Sequence, residues 1–131
     1  MHLGDGSIRL RYGSRPIGVL IYDAHGHMSV HLMSGDRAPF ASGNPDGGTA
    51  LEMQAAFDSY LGYFGGYTID AVAGTVSHSI EGCSYPNWAG TTQKRIYSLE
   101  GKRLKLSTPP MMFKGGEATF VLIWERTEEE N

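Results

Sequence analysis

Two residues of this chain combine reactive side chains with positions on strand faces that otherwise read as apolar. They are His78, in Gly74-Thr-Val-Ser-His78-Ser-Ile80, and Arg95, in Lys94-Arg-Ile-Tyr-Ser-Leu99. A buried guanidinium demands an electron-rich partner, because leaving it unpaired away from water is expensive. Arg95 therefore either forms an internal salt bridge, with Glu125 as the candidate carboxylate, or holds a carboxylate, enolate or carbonyl oxygen of a ligand and polarises it as charge develops. His78 either acts as a general acid or base near neutral pH or is a core histidine hydrogen-bonded to Tyr67 or Tyr97. Those two tyrosines either offer hydroxyls to an oxygen-bearing ligand or brace the interior. Trp88, in Tyr85-Pro-Asn-Trp-Ala-Gly90, either lines a cavity mouth or plugs it, and Trp124 reads as core. The candidate ligand-binding set is Tyr67, His78, Trp88, Arg95, Tyr97 and Trp124, with His78 and Arg95 as the catalytic pair if there is chemistry.

Other chemistries find less support. In His25-Gly-His27-Met-Ser-Val-His31, His27 and His31 share a strand face but stand about 13 Å apart, too far for one ion. No metal site is expected. Glycine-rich phosphate loops and paired Cys-x-x-Cys motifs are missing, so no cofactor is expected. Cys83 lies beside Ser84 just after the His78 strand; an inert half-buried thiol accounts for it better than a Cys-His nucleophile.

Three hairpins must position these residues. In the segment 94–106, a turn at Glu100-Gly101 puts Arg95, Tyr97, Leu99, Leu104 and Leu106 on one face and Lys94, Ile96, Ser98, Arg103 and Lys105 on the other. A four-residue loop keeps the same parity. In the segment 17–32, a turn over Asp23 to Gly26 gives a core face of Ile17, Val19, Ile21, Met28, Val30 and Leu32. In the third, a loop over Ala71 to Gly74 aligns Tyr67, Ile69, Val76, His78 and Ile80, so that a tyrosine and a histidine look inward. The final strand, 118–125, is apolar on both faces near its middle. Between the strands, Thr49 and Glu52 form a capping box for a helix over about 50–64, which Gly65-Gly66 stops. Alternating strands with short Gly-containing turns predict an all-β protein, a sandwich or closed antiparallel barrel with this one helix closing a mouth or packing on the wall.

A length of 131 residues fits a single domain over 1–131, with 127–131 as a solvated tail. The net charge of −3 argues against nucleic acid as a partner. No apolar run reaches membrane-spanning length and no signal pattern opens the chain, so no membrane role and a cytoplasmic location are expected. A single cysteine forbids an intrachain disulfide. The segment from Ser34 to Gly48 is a long loop suited to a rim or lid.

Several stretches together resemble the bacterial and fungal lipocalin-like domain family, which is distinct from the secreted lipocalins. They are Gly18-Val-Leu-Ile-Tyr-Asp-Ala-His-Gly-His-Met-Ser-Val30, Asp36-Arg-Ala-Pro-Phe-Ala41, Ala56-Phe-Asp-Ser-Tyr-Leu-Gly-Tyr-Phe-Gly-Gly-Tyr67, Gly74-Thr-Val-Ser-His78, Pro86-Asn-Trp-Ala-Gly-Thr-Thr-Gln-Lys-Arg95 and Ile123-Trp-Glu-Arg126. The resemblance implies a small barrel whose central cavity takes a small molecule. Some relatives resemble cofactor-independent cyclases or isomerases of secondary metabolism. Family members usually begin with a Gly-x-Trp strand upstream of the segment equivalent to Asp5-Gly-Ser-Ile-Arg-Leu10, and this sequence starts after it. A barrel without that strand leaves open edges, which a homodimer would pair unless fewer strands close it. The function expected is binding of a small, largely apolar, oxygen-bearing metabolite. The alternative is a cyclase or isomerase using the same cavity.

Overall fold

The computed structural model describes residues 2–3, 12–113 and 116–127. The expected tail from residue 128 onward and the segment around Asp5 to Leu10 lie outside the described residues. In chain order the elements are β1 (His2–Leu3), β2 (Pro16–Tyr22), β3 (His27–Ser34), α1 (Ala50–Asp58), β4 (Tyr60–Asp70), β5 (Thr75–Cys83), a 3-10 turn (Pro86–Trp88), β6 (Thr92–Glu100), β7 (Arg103–Ser107), β8 (Met111–Phe113), β9 (Gly116–Thr119) and β10 (Val121–Glu125). Seven strands form one antiparallel sheet, ordered β10-β7-β6-β5-β4-β3-β2, which curls into a nearly closed barrel. A smaller sheet, β1-β9-β8, accompanies it.

Each of the three hairpins meets its sequence expectation differently. The β4–β5 pair keeps the predicted face, with Tyr67 opposite His78 and Ile69 opposite Val76. The β6–β7 pair turns at Gly101-Lys102 rather than at Glu100-Gly101, with Gly101 at a φ of 59°. That slides the register by two, so Tyr97 faces Leu106, and an even shift leaves every side chain on its predicted face. The β2–β3 pair is a correction. Asp23 and His27 close the turn through a backbone bond of 2.9 Å, leaving three residues in the loop with Gly26 at a φ of 87°. Three-residue hairpins place a residue with positive φ at that position, which glycine accepts without a Cβ penalty. The Asp23 carboxylate accepts the backbone N–H groups of His25 and His27 at 2.8 Å each and fixes the loop. An odd loop flips the parity of β2. Ile17, Val19 and Ile21 therefore point outward, and Leu20 and Tyr22 point inward opposite Val30 and Met28.

The helix is also shorter than expected. Its capping box forms as predicted between Thr49 and Glu52, and the Glu52 carboxylate also accepts the N–H of Ala41 at 2.8 Å. It ends at Asp58, however, and the residues assigned to its last turn begin β4. No residue of the helix is buried, whereas as strand residues Leu61 and Tyr63 face the interior and pair with β3. Two-sided packing thus outweighs the helical spacing of Met53, Phe57, Tyr60 and Phe64. A bulge at Phe64/Gly65 bends this long strand. A Cβ on Gly65 would meet the Ser79 carbonyl oxygen at 1.9 Å, so the close approach of β4 and β5 there requires glycine. The loop from Ser34 to Gly48 is tied to the helix, with Arg37 donating to the Ala56 carbonyl and the Ser59 hydroxyl.

Buried Met28, Val30, Tyr63 and Ile80 form the central cluster, against which Leu20, Tyr22, Trp88 and Trp124 pack. Each large apolar side chain so buried contributes about 1.5–3 kcal/mol relative to exposure. The inner faces of the strands converge on a cavity instead of filling the barrel completely.

Candidate functional site

The cavity has a volume of about 500 Å³. Its walls are mostly apolar: Leu20, Val30, Leu61, Leu106 and Leu122 from the barrel, Phe57 from α1, and Met111 and Met112 from β8. Aromatic rings of Tyr63, Trp88 and Trp124 supply flat surfaces. Among the described lining residues, Arg95 is the one side chain that carries a full charge.

His78 is the most deeply buried large side chain, at 1% exposure. Both of its ring nitrogens are engaged: Nδ1 with the Tyr63 hydroxyl at 2.7 Å and Nε2 with the Tyr22 hydroxyl at 2.6 Å. A neutral imidazole has one donor and one acceptor, so one tyrosine donates to it and the other accepts from it. Burial, reinforced by the positive charge of Arg95, pushes the His78 pKa down to about 4. The ring is therefore neutral at physiological pH. Burial also raises the Tyr22 and Tyr63 hydroxyls, which stay protonated phenols. The tyrosine partners expected from sequence, Tyr67 and Tyr97, are replaced by Tyr22 and Tyr63. Tyr22 became available through the flipped parity of β2.

Arg95 stands on β6 opposite Val76, one strand away from His78. Its guanidinium donates to the Lys94 carbonyl at 3.1 Å, lies 5.7 Å from the centre of the Trp88 ring and is near enough to the Tyr63 and Tyr22 hydroxyls to interact with them electrostatically. Burial lowers its pKa while the two phenols oppose that shift, and the group remains cationic. Among the described residues no carboxylate pairs with it. Glu125 is exposed on the outer side of β10, where it faces Arg103, so the internal salt bridge considered from sequence does not form.

Four of the six sequence candidates, His78, Trp88, Arg95 and Trp124, line the cavity. Trp88 reaches it from the 3-10 turn, edge-on to Tyr63 with ring centres 6.2 Å apart. The indole nitrogen of Trp124 is buried without a hydrogen-bond partner among the described residues. Tyr67 and Tyr97 do not line the cavity. The Tyr67 hydroxyl donates to the Asp23 carbonyl at 2.6 Å and ties β4 to the β2–β3 turn. Sequence reasoning missed Tyr63 because the helix was extended over it. A signal was present in the alternation of Leu61 and Tyr63 with glycine, which reads as strand.

Two exposed histidines have partners of their own, His27 with Asp23 and His31 with the Tyr60 hydroxyl. Among the described residues no three His, Cys, Asp or Glu side chains are grouped to hold a metal ion, and no helix is long and apolar enough to cross a membrane.

A nearly closed antiparallel barrel around a mostly apolar cavity defines a lipocalin-like class of protein. The chain matches the lipocalin-like domain family over residues 1–127 and belongs to it. It is also similar to the 4'-hydroxy-3'-methoxypropiophenone carrier protein of Aspergillus oryzae, with 40% identity over 86 residues, 60% of this chain and 78% of that protein. No solved structure matches it.

Proposed function

We propose that this protein is a carrier for a small, largely apolar, oxygen-bearing aromatic metabolite, held in the barrel cavity and oriented by Arg95. The observation that carries this reading is the combination of an aromatic-lined cavity of about 500 Å³ with a cation, Arg95, that no carboxylate of the described residues neutralises. Small-molecule sites have this form, an apolar enclosure of a few hundred Å³ with a few fixed polar groups. The similarity to a propiophenone carrier supports the same ligand class, an aryl ketone bearing oxygen substituents. Trp88, Tyr63 and Trp124 present faces and edges suited to an aromatic ring.

The same cavity supports a carrier better than a cyclase or isomerase. A general base must have a nitrogen free for the proton it takes, and both nitrogens of His78 are occupied by tyrosine hydroxyls. The test is to titrate 4'-hydroxy-3'-methoxypropiophenone and related aryl ketones against the purified protein, following tryptophan fluorescence, and to analyse the recovered ligand by mass spectrometry. Saturable quenching with the ligand returned unchanged is the expected result. A product of altered structure would support the enzyme, and the absence of any binding would overturn the carrier.

A further inference from the structure

Arg95 faces a cavity to which the described residues bring no negative charge. The titratable groups lining it are Arg95, His78 and the phenols of Tyr12, Tyr60, Tyr63 and Tyr85; neither Asp nor Glu is among the described lining residues. Of the groups that act on Arg95 from neighbouring strands, Tyr63 on β4 and Tyr22 on β2 are held as neutral phenols, and His78 on β5 is neutral above pH 4. Cys83 on β5 acts on Tyr63. The remaining partners, the Lys94 carbonyl and the Trp88 ring, are dipolar or quadrupolar. A ligand arriving with a full negative charge is therefore the strongest available complement to the guanidinium, stronger than a carbonyl dipole.

We propose that Arg95 binds its ligand as an oxyanion, so that the cavity selects an acyl phenol in its ionised form. This deepens the carrier reading and rests on it. An acyl group on the ring draws charge from the phenol oxygen and makes it more acidic than tyrosine, whose ordinary pKa is about 10. On binding, the O–H bond breaks, the electron pair stays on oxygen beside Arg95, and the proton leaves to bulk water. Trp88 packs against the arginine and Tyr63 stands edge-on to Trp88, so both rings are near the ring of a phenolate anchored there.

The experiment uses 4-hydroxyacetophenone as probe and its methyl ether, 4-methoxyacetophenone, as the analogue that cannot ionise. Phenolate absorbs at longer wavelength than phenol, so absorbance reports the ionisation of the bound probe while tryptophan quenching reports binding. The expected result is a bound-probe pKa at least about one unit below that of the free probe, equivalent to a tenfold preference for the anion. Above the free probe's pKa the ether should bind at least tenfold more weakly. Arg95→Met should reverse the sign of the shift, because an apolar cavity alone favours the neutral phenol, and Arg95→Lys should restore part of it. Quenching with an unshifted or raised probe pKa would overturn the oxyanion proposal and leave the carrier standing. Absence of quenching by either compound would overturn both.

Discussion

His78 and Arg95 sit on adjacent strands facing the same cavity, yet their surroundings are opposite in kind. The histidine is sealed by two tyrosine hydroxyls, kept neutral and left with no hydrogen-bonding capacity to offer. The arginine keeps its charge, is held by a backbone carbonyl and an indole face, and meets no carboxylate among the described residues. A fully satisfied buried polar group specifies a fold, because its partners have no alternative to it. An incompletely neutralised one reserves its interaction energy for something that binds. Under the carrier proposal, the contrast assigns His78 a structural role and Arg95 a ligand-facing one.

The sharpest break of this comparison is His78→Ala. It would strand the hydroxyls of Tyr22 and Tyr63, at about 1–3 kcal/mol for each buried unpaired group, and leave a void as well. The expected loss of unfolding free energy is roughly 3–5 kcal/mol, measured by urea denaturation. A loss below about 1 kcal/mol would show that the two tyrosines do not depend on the ring.

Acid provides the next largest effect. Above pH 6.5 neither folded nor unfolded chain protonates this histidine, and its contribution is fully present. Between 6.5 and about 4 the unfolded chain takes up a proton that the folded one refuses, so stability falls as pH falls and levels off below about 4. At 1.36 kcal/mol per pKa unit the loss is about 3 kcal/mol. Asp23 and Glu52, whose pKa values are lowered by backbone N–H bonds, lose their contributions in the same direction but in a lower window, through the acid side of the carboxylate range. Urea titrations at stepped pH should show the upper phase in the wild type and not in His78→Gln, whose amide offers one donor and one acceptor group without titrating.

Arg95→Met should behave in the opposite way. Stability should stay within about 1 kcal/mol of wild type or rise, because replacing a buried charge by an apolar chain is often neutral or favourable. Affinity for an aryl ketone ligand should fall about ten- to a hundredfold, from the ~1.5–3 kcal/mol attached to a hydrogen bond with a charged group. A variant that stays folded but is strongly destabilised, with its ligand affinity unchanged, would invert the assignment of the two residues.

How far this arrangement was legible from sequence follows from loop parity. The faces of β6 and β7 survived a misplaced turn because the error was two residues, and His78 was placed inside correctly because its loop was read at the right length. The face of β2 was lost to a single residue, since the side chain of Asp23 and the conformation of Gly26 set a three-residue loop. Tyr22 was hidden by that flip, and Tyr63 by a helical spacing that describes the helix only to Asp58. Both partners of His78 were thus invisible for local reasons, although the histidine was not. That Glu125 does not pair with Arg95 was not legible at all, because it depends on Glu125 falling on the outer side of β10 opposite Arg103.

The smallest effects test the edges of the comparison. Tyr67 and Tyr97 carry hydroxyls that sequence parity turns inward, yet neither lines the cavity. If ligand recognition is confined to the cavity walls, Tyr67→Phe and Tyr97→Phe should each leave aryl ketone affinity within about twofold of wild type, which is under ~0.5 kcal/mol. They should differ in stability. Tyr67→Phe deletes the 2.6 Å bond to the Asp23 carbonyl and with it the tie between β4 and the β2–β3 turn, a loss of about 1 kcal/mol in urea denaturation. That turn sets the parity placing Tyr22 against His78, so the same variant should also weaken protection of the β2–β3 amides in hydrogen exchange. A large drop in ligand affinity with either variant would extend the site beyond its present walls, and Arg95 would then share the orienting role with a second strand end.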